Sequence, residues 1–161
     1  MEEQEARLAR SCCFTGHRSS KLPWGGNEAD ARCLELKRKL ADALEELYGQ
    51  GVRHFICGMA TGCDMFFAEA VLALRERRPD VTLEAAIPCE EQDRRWTHGL
   101  SERYDRLLAE CDSRTLVSRA YTPECMMRRN RYMVDNAGTV LAVFNGSPGA
   151  VSYTHLTLPT T

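Results

Sequence analysis

The stretch HFICGMATGCD, residues 54–64, decides the fold. It begins as an apolar run ending at Cys57 and turns abruptly small and polar at Gly58, Thr61, Gly62 and Asp64. A strand that breaks into such a turn and resumes as a helix with apolar spacing is half of a βαβ unit. Gly58 lets the chain leave the strand sharply, and Gly62 allows backbone N–H groups to approach a ligand closely. The helix that follows has unpaired N–H groups and a positive dipole end, which suits an anion. Thr61 and Asp64 also fit a capping box, in which both side chains serve only the helix terminus. Asp64 suits either reading, because a carboxylate repels phosphate unless it meets a ribose hydroxyl or a metal. For Thr61 and Gly62, ligand contact is the favoured reading.

Outward from this turn the chain alternates. SCCFTG, ending at Gly16, reads as strand one; Leu36, Leu40, Leu44 and Leu47 mark a helix stopped by Gly49 and Gly51. VRHFICG is strand two, and the helix after Gly62 carries Phe66, Ala70 and Leu74 until Pro79 ends it. VTLEAAIP is strand three, and a helix runs through Trp96, Leu100, Tyr104, Leu107, Leu108 and Cys111. RTLVS is a short fourth strand, PECMMRRNRYMVDNAG a helix with Pro123 in its first turn, and TVLAVFNG strand five. This order predicts an α/β fold, an open Rossmann-like sheet of about five mainly parallel strands with helices on both faces, a three-layer sandwich. Strands two and five are near-continuously apolar, as burial on both sides requires. Residues 1–10 read as a polar extension, 11–150 as the Rossmann-like domain, and 151–161 as a tail foreign to it.

Composition narrows the function classes. The chain has 161 residues, 43% hydrophobic and 27% charged, within the range of one soluble domain. No apolar run approaches the ~20 residues of a membrane span. MEEQEARLAR, at the N-terminus, lacks the apolar stretch of a signal peptide. The formal charge of −2 gives no footprint for nucleic acid. Three Lys stand against eighteen Arg, a bias that fits phosphate recognition but is explained for most of them by codon usage. Eight Cys lie at 12, 13, 33, 57, 63, 89, 111 and 125, with no C-x-x-C pair and no zinc-like spacing with His. They read as reduced thiols in a cytoplasmic protein, and no metal is expected.

In open α/β sheets, ligands bind beyond the carboxyl ends of the strands. FTGHR therefore matters: His17 can act as a base or phosphate donor, and Arg18 can clamp an anion with two hydrogen bonds. An incidental surface loop is the alternative. Neither Gly16 nor Gly62 belongs to a G-x-G-x-x-G or P-loop pattern. On the helix MMRRNRYMVDNA, Met126, Met127, Met133, Val134 and Ala137 fall on one face with Asn130 at its centre, and Arg129 sits at its edge near the cleft. An amide on the core side either latches a neighbouring loop or meets a ligand. Gln92 and Trp96, one turn apart, offer a hydrogen bond and a stacking surface, with core packing favoured for Trp96.

FTGHR, ICGMATGCD, IPCEEQDRRW, RRNRYMVD and VLAVFNG, in that order, resemble the YpsA-like branch of the SLOG superfamily, which also includes DprA and the Lonely-guy phosphoribohydrolases. The resemblance covers roughly residues 11 to 149. It implies a domain that binds nucleotides or nucleotide-derived ligands of the ADP-ribose type, as a ligand sensor. Carried over by motif, the ligand-facing positions are Thr15, Gly16, His17, Arg18, Gly58, Thr61, Gly62, Asp64, Arg129 and Asn130. The enzyme alternative is a nucleotide N-glycosidase, for which Asp64 and Glu69 are the available acids; the relatives' signature P-G-G-x-G-T-x-x-E is absent. Single-stranded DNA binding, as in DprA, is a third reading, opposed by the charge. The expected partner is a small nucleotide-like ligand, with no membrane and no nucleic acid; the oligomeric state is left open, a homo-oligomer included. Such domains continue after FNG into a glycine- and threonine-containing turn and a helix. Here VSYTHLTLPTT has no helical period, which marks the chain as C-terminally truncated with foreign residues from about 151.

Overall fold

A computed structural model describes residues 2–144 and the strand 147–152. Its elements are α1 (Glu2–Ala9), β1 (Ser11–Thr15), α2 (Ala31–Gly49), β2 (His54–Cys57), α3 (Cys63–Arg77), β3 (Thr82–Ile87), α4 (His98–Glu110), β4 (Ser113–Leu116), α5 (Cys125–Asp135), β5 (Thr139–Phe144) and β6 (Ser147–Ser152). The sheet order is β4-β3-β2-β1-β5-β6. The first five strands pair in parallel, as the alternating sequence predicts, and β6 adds an antiparallel edge.

The order of strands explains where the helices lie. From β1 the chain steps outward to β2, β3 and β4, then returns across β1 to form β5. Right-handed crossovers in one direction put α2, α3 and α4 on one face, and the reversal puts α5 on the other. Burial follows that division. Cys12, Phe14, Phe55, Cys57, Leu83, Ala85, Leu141 and Val143 join the core under α2, α3 and α4. Cys13, Ile56, Ala86 and Val140 meet Met133, Ala137 and Tyr132 on the α5 side. Alternate residues of each strand thus enter opposite cores, so the strands read as continuous apolar runs.

Several boundaries differ from the sequence reading. α4 begins at His98, where Thr97 Oγ1 accepts the Leu100 N–H at 3.4 Å, so Trp96 precedes the helix. Trp96 packs edge-on against Tyr104, with ring centroids 5.2 Å apart. The sixth strand is the larger difference. β6 pairs Phe144 with Ser147 and Thr139 with Ser152, which carries regular structure to residue 152. The tail proposed from 151 onward otherwise falls on 153–161, outside the described residues, as do Asn145 and Gly146 of the turn. Among the described residues, no helix is long and apolar enough to cross a membrane.

The centre of the larger core is a cluster of aromatic rings. Phe67 of α3 stacks on Phe14 at 4.5 Å and meets Phe55 edge-on at 6.1 Å. All three are essentially fully buried. Truncation there removes contacts with β1 and β2 at once. Phe67→Ala is expected to lower the unfolding free energy by about 3–5 kcal/mol in urea denaturation; a loss below about 1 kcal/mol would contradict this packing.

Candidate functional site

β1 ends at Thr15 and β2 at Cys57, side by side, so the loops that follow them meet above the sheet. Gly62 makes that meeting tight. Its φ is +81°, and a Cβ there would lie 2.5 Å from the Ser19 nitrogen and 2.8 Å from the His17 oxygen. The His17 carbonyl accepts the Cys63 N–H at 3.1 Å. The close approach that the sequence assigns to a ligand is therefore, at the α-carbon of Gly62, an approach of one loop backbone to the other. Gly16 joins the same contact, with its missing Cβ facing Cys63.

The capping box does not form. Gly62 is the N-cap of α3 and no side chain caps it. Asp64 turns back instead, its Oδ2 accepting the Ala60 N–H at 3.0 Å, and Thr61 remains half-buried beside it. Among the described residues, the N–H groups of Thr61 and Gly62 have no hydrogen-bond acceptor. Met59, buried in the same loop, has a φ of 59°, a left-handed conformation that costs a non-glycine residue about 1–3 kcal/mol. Gln92 helps hold it, with Nε2 donating to the carbonyls of Gly58 at 3.4 Å and Met59 at 3.3 Å. Its Oε1 is buried and has no partner among the described residues. Gln92 thus latches the loop, and Trp96 is not its neighbour on a helical turn.

The helix α5 corrects the sequence reading most. Its buried stripe is Cys125, Arg129 and Met133, continued by Ala137, at a spacing of four. Arg129 therefore lies at the centre of the inward face, whereas Asn130 and Met127 are exposed. A strongly polar side chain interrupts the stripe, so apolar periodicity alone shifts the face by one residue. The Arg129 guanidinium lies over Gly58, where a Cβ would sit 2.5 Å from its Nη1. Nη1 donates to the Gly58 carbonyl at 2.7 Å, and Nε donates to Asn130 Oδ1 at 2.9 Å. Asn130 thus serves Arg129 from outside.

The site's charges are Arg18, Asp64 and Arg129. Arg129 is 6% exposed, and among the described residues no carboxylate comes within 4.0 Å of its guanidinium. Burial pushes its proton affinity down, against the attraction of Asp64. Burial pushes the Asp64 carboxyl up, opposed by Arg129, by the Ala60 N–H and by Arg18. Arg18 is exposed on the first loop, close enough for its charge to act on both. Glu69, the other acid considered for catalysis, is engaged elsewhere: Arg103 Nε donates to its Oε2 at 3.1 Å and Nη2 to Oε1 at 2.5 Å. The eight cysteines are free. Burial pushes the Cys63 thiol up to about 11, which keeps it protonated and a poor nucleophile near neutral pH. Among the described residues, no three His, Cys, Asp or Glu side chains gather as metal ligands.

The structure therefore brings Gly16, His17, Arg18, Gly58, Thr61, Gly62, Asp64 and Arg129 to one end of the sheet, with Thr15 half-buried at the end of β1. Known proteins repeat this chain's pattern. Residues 12–158 match the YspA SLOG family. An uncharacterized SPbeta prophage-derived protein, YoqJ, of Bacillus subtilis is 31% identical over 127 residues, 71% of this chain and 74% of its own length. The UPF0398 protein YpsA of the same organism is 25% identical over 142 residues, 84% of this chain and 78% of its own. A UPF0398 protein of Lysinibacillus sphaericus is 23% identical over 128 residues, 76% and 72% of the two chains.

Two measurements check the geometry. Gly62→Ala should lower the thermal midpoint markedly, because the new Cβ meets backbone and the φ is left-handed. Gly26→Ala, where nothing lies within 4 Å, should leave it nearly unchanged, and equal effects would contradict the loop contact. The second concerns pH. Asp64 is held above its ordinary value of about 3.9, so its protonated form favours folding, and that contribution is lost as pH rises through the raised value. Asp64→Asn should therefore gain stability relative to the wild type as pH rises from about 4 toward 7; parallel stability curves would contradict the assignment.

Proposed function

The chain belongs to the YpsA family of SLOG proteins, and on that premise we propose that the carboxyl ends of β1 and β2 bind a nucleotide or nucleotide-derived ligand of the ADP-ribose type, with the protein acting as its sensor. The observation that carries the reading is the imbalance of charge at this end of the sheet. Two guanidiniums, Arg18 and Arg129, stand with one carboxylate, Asp64, and the buried guanidinium has no carboxylate within 4.0 Å among the described residues. A buried cation without a close anion is costly, and an incoming phosphate supplies one. Arg18, exposed on its loop, clamps the phosphate from the solvent side, and the Thr61 and Gly62 N–H groups donate to it. Asp64 accepts a ribose hydroxyl, the one role in which its charge does not oppose the ligand.

The location agrees with this assignment. The strand order reverses at β1, between β2 and β5, and ligands of open α/β sheets lie beyond the carboxyl ends at such a reversal. The engagement of Glu69 with Arg103 leaves Asp64 as the one carboxylate for an N-glycosidase reaction, which favours binding over catalysis. The overall charge of −2 gives no basic track for single-stranded DNA. Eight free cysteines fit a reducing cytoplasmic setting.

Calorimetric titration with ADP-ribose and with adenosine tests the proposal. Arg18→Ala should weaken ADP-ribose roughly ten- to hundredfold, the worth of one or two charge-assisted hydrogen bonds, and leave adenosine nearly unchanged. Equal losses for both would remove phosphate recognition from Arg18. Chromatography of the same samples should show no released adenine; its appearance would turn the reading to the glycosidase.

A further inference from the structure

The opposite end of the sheet holds a cavity of about 460 Å³ between α1, α5 and the starting ends of β1, β2 and β3. It is independent of the site above. Its floor is the α5 face of the sheet, where polar side chains replace the apolar ones. Glu84 of β3 is buried, and its carboxylate accepts Thr115 Oγ1 at 2.8 Å, the Tyr132 hydroxyl, and His54 Nε2 at 2.7 Å. His54 Nδ1 pairs with Thr82 Oγ1 at 2.7 Å. Burial alone opposes ionisation of Glu84, but these hydrogen bonds outweigh it and hold the carboxyl below its ordinary value.

Each carboxylate at the cavity is already answered. Glu84 is surrounded by the three donors just named. Asp80 accepts Arg53 Nε at 2.9 Å and the Tyr48 hydroxyl at 2.8 Å. Arg53 in turn spends Nη1 on the carbonyls of Tyr48 at 2.7 Å and Val52 at 2.9 Å. Arg7 and Arg10 are left over. Among the described residues neither has a carboxylate within 4.0 Å, and Arg7 has only a 3.4 Å contact with Asn136 Oδ1. Their backbone is nevertheless fixed. Leu8 O accepts the Gly138 N–H at 2.8 Å, and Arg10 O accepts the N–H groups of Arg53 at 2.9 Å and His54 at 3.0 Å.

We propose that this cavity is a second anion site, in which Arg7 and Arg10 hold a phosphate-class anion over the floor formed by His54 and Glu84. Two unpaired guanidiniums on an anchored backbone are donors suited to several phosphate oxygens at once. The volume accommodates a pyrophosphate or a small phosphate ester. The saturated floor does not compete for the arginines, because Glu84 and Asp80 are each hydrogen-bonded to nearer donors.

Titration of the full chain with inorganic pyrophosphate, followed by amide nuclear magnetic resonance, separates this site from the other. The resonances of Arg10, Ser11, His54 and Gly138 should shift and saturate. The Arg7→Ala/Arg10→Ala double variant should weaken that saturation at least tenfold, and Arg18→Ala should leave it unchanged. Arg10→Gln, which removes the charge but keeps a polar, hydrogen-bonding side chain, is the single-site counterpart and should weaken it severalfold. Arg7, on α1 with its lack of buried residues, and Arg10, just beyond that helix, are both exposed, so the variants keep the fold, and the dispersion of the spectrum verifies it. Absence of saturable shifts at these four amides would overturn the proposal. So would a double variant that binds as tightly as the wild type, or shifts abolished by Arg18→Ala.

Discussion

The site depends on the contact between Gly62 and the backbone of residues 17–19. Two loops from adjacent parallel strands can share one surface only if their backbones approach closely, and here no side chain stands between them. The left-handed φ of Gly62 starts α3 at that point, and the His17 carbonyl closes the contact on the Cys63 N–H. Gly58 repeats the device from the other direction, its missing Cβ replaced by the Arg129 guanidinium. Between them Met59 is held left-handed, at a cost that the surrounding hydrogen bonds of Gln92 and Arg129 sustain. The strain, the buried guanidinium and the Arg18 loop all sit at one place because of this packing.

The two ends of the sheet handle charge differently. Three helices cover one face, and α5, with α1 beside it, lies over the other, where Glu84 and Arg129 are buried; Asp64 is buried on α3. At the lower end, Glu84 and Asp80 each find enough donors to remain ionised. At the upper end, Asp64 and Arg129 are buried near one another without an ion pair, and each is shifted toward its neutral form by burial. Such a pair carries unspent electrostatic energy, and groups of this kind concentrate at functional sites. The ligand class proposed for the upper end rests on membership of the YpsA family; the proposal for the lower end rests on its own geometry.

The sequence made the fold legible because helical and strand periods alternate cleanly, and each strand core is apolar enough to fix its position. Two features escaped it. Asn145-Gly146 is a sequence signal for a hairpin, whereas the family resemblance implies a turn into a helix at this point; the strand β6 stands where that helix is expected. On α5, the apolar spacing of the methionines places Asn130 inward and Arg129 at the edge, whereas the buried stripe is an i, i+4, i+8 row through Cys125, Arg129 and Met133. Glu84 had a signal too, as a charged residue in the middle of the apolar strand TLEAAI. Its partners His54, Thr115 and Tyr132 lie 17 or more positions from one another along the chain, and no local pattern joins them.

A crystal structure of the chain with ADP-ribose decides whether the two arginines read phosphate. The diphosphate should lie within about 3 Å of the Arg18 guanidinium, beside the Thr61 and Gly62 N–H groups and facing Arg129, with a ribose hydroxyl on Asp64. A ligand whose phosphates lie away from both arginines, or which occupies only the cavity beside Arg7 and Arg10, would contradict that reading.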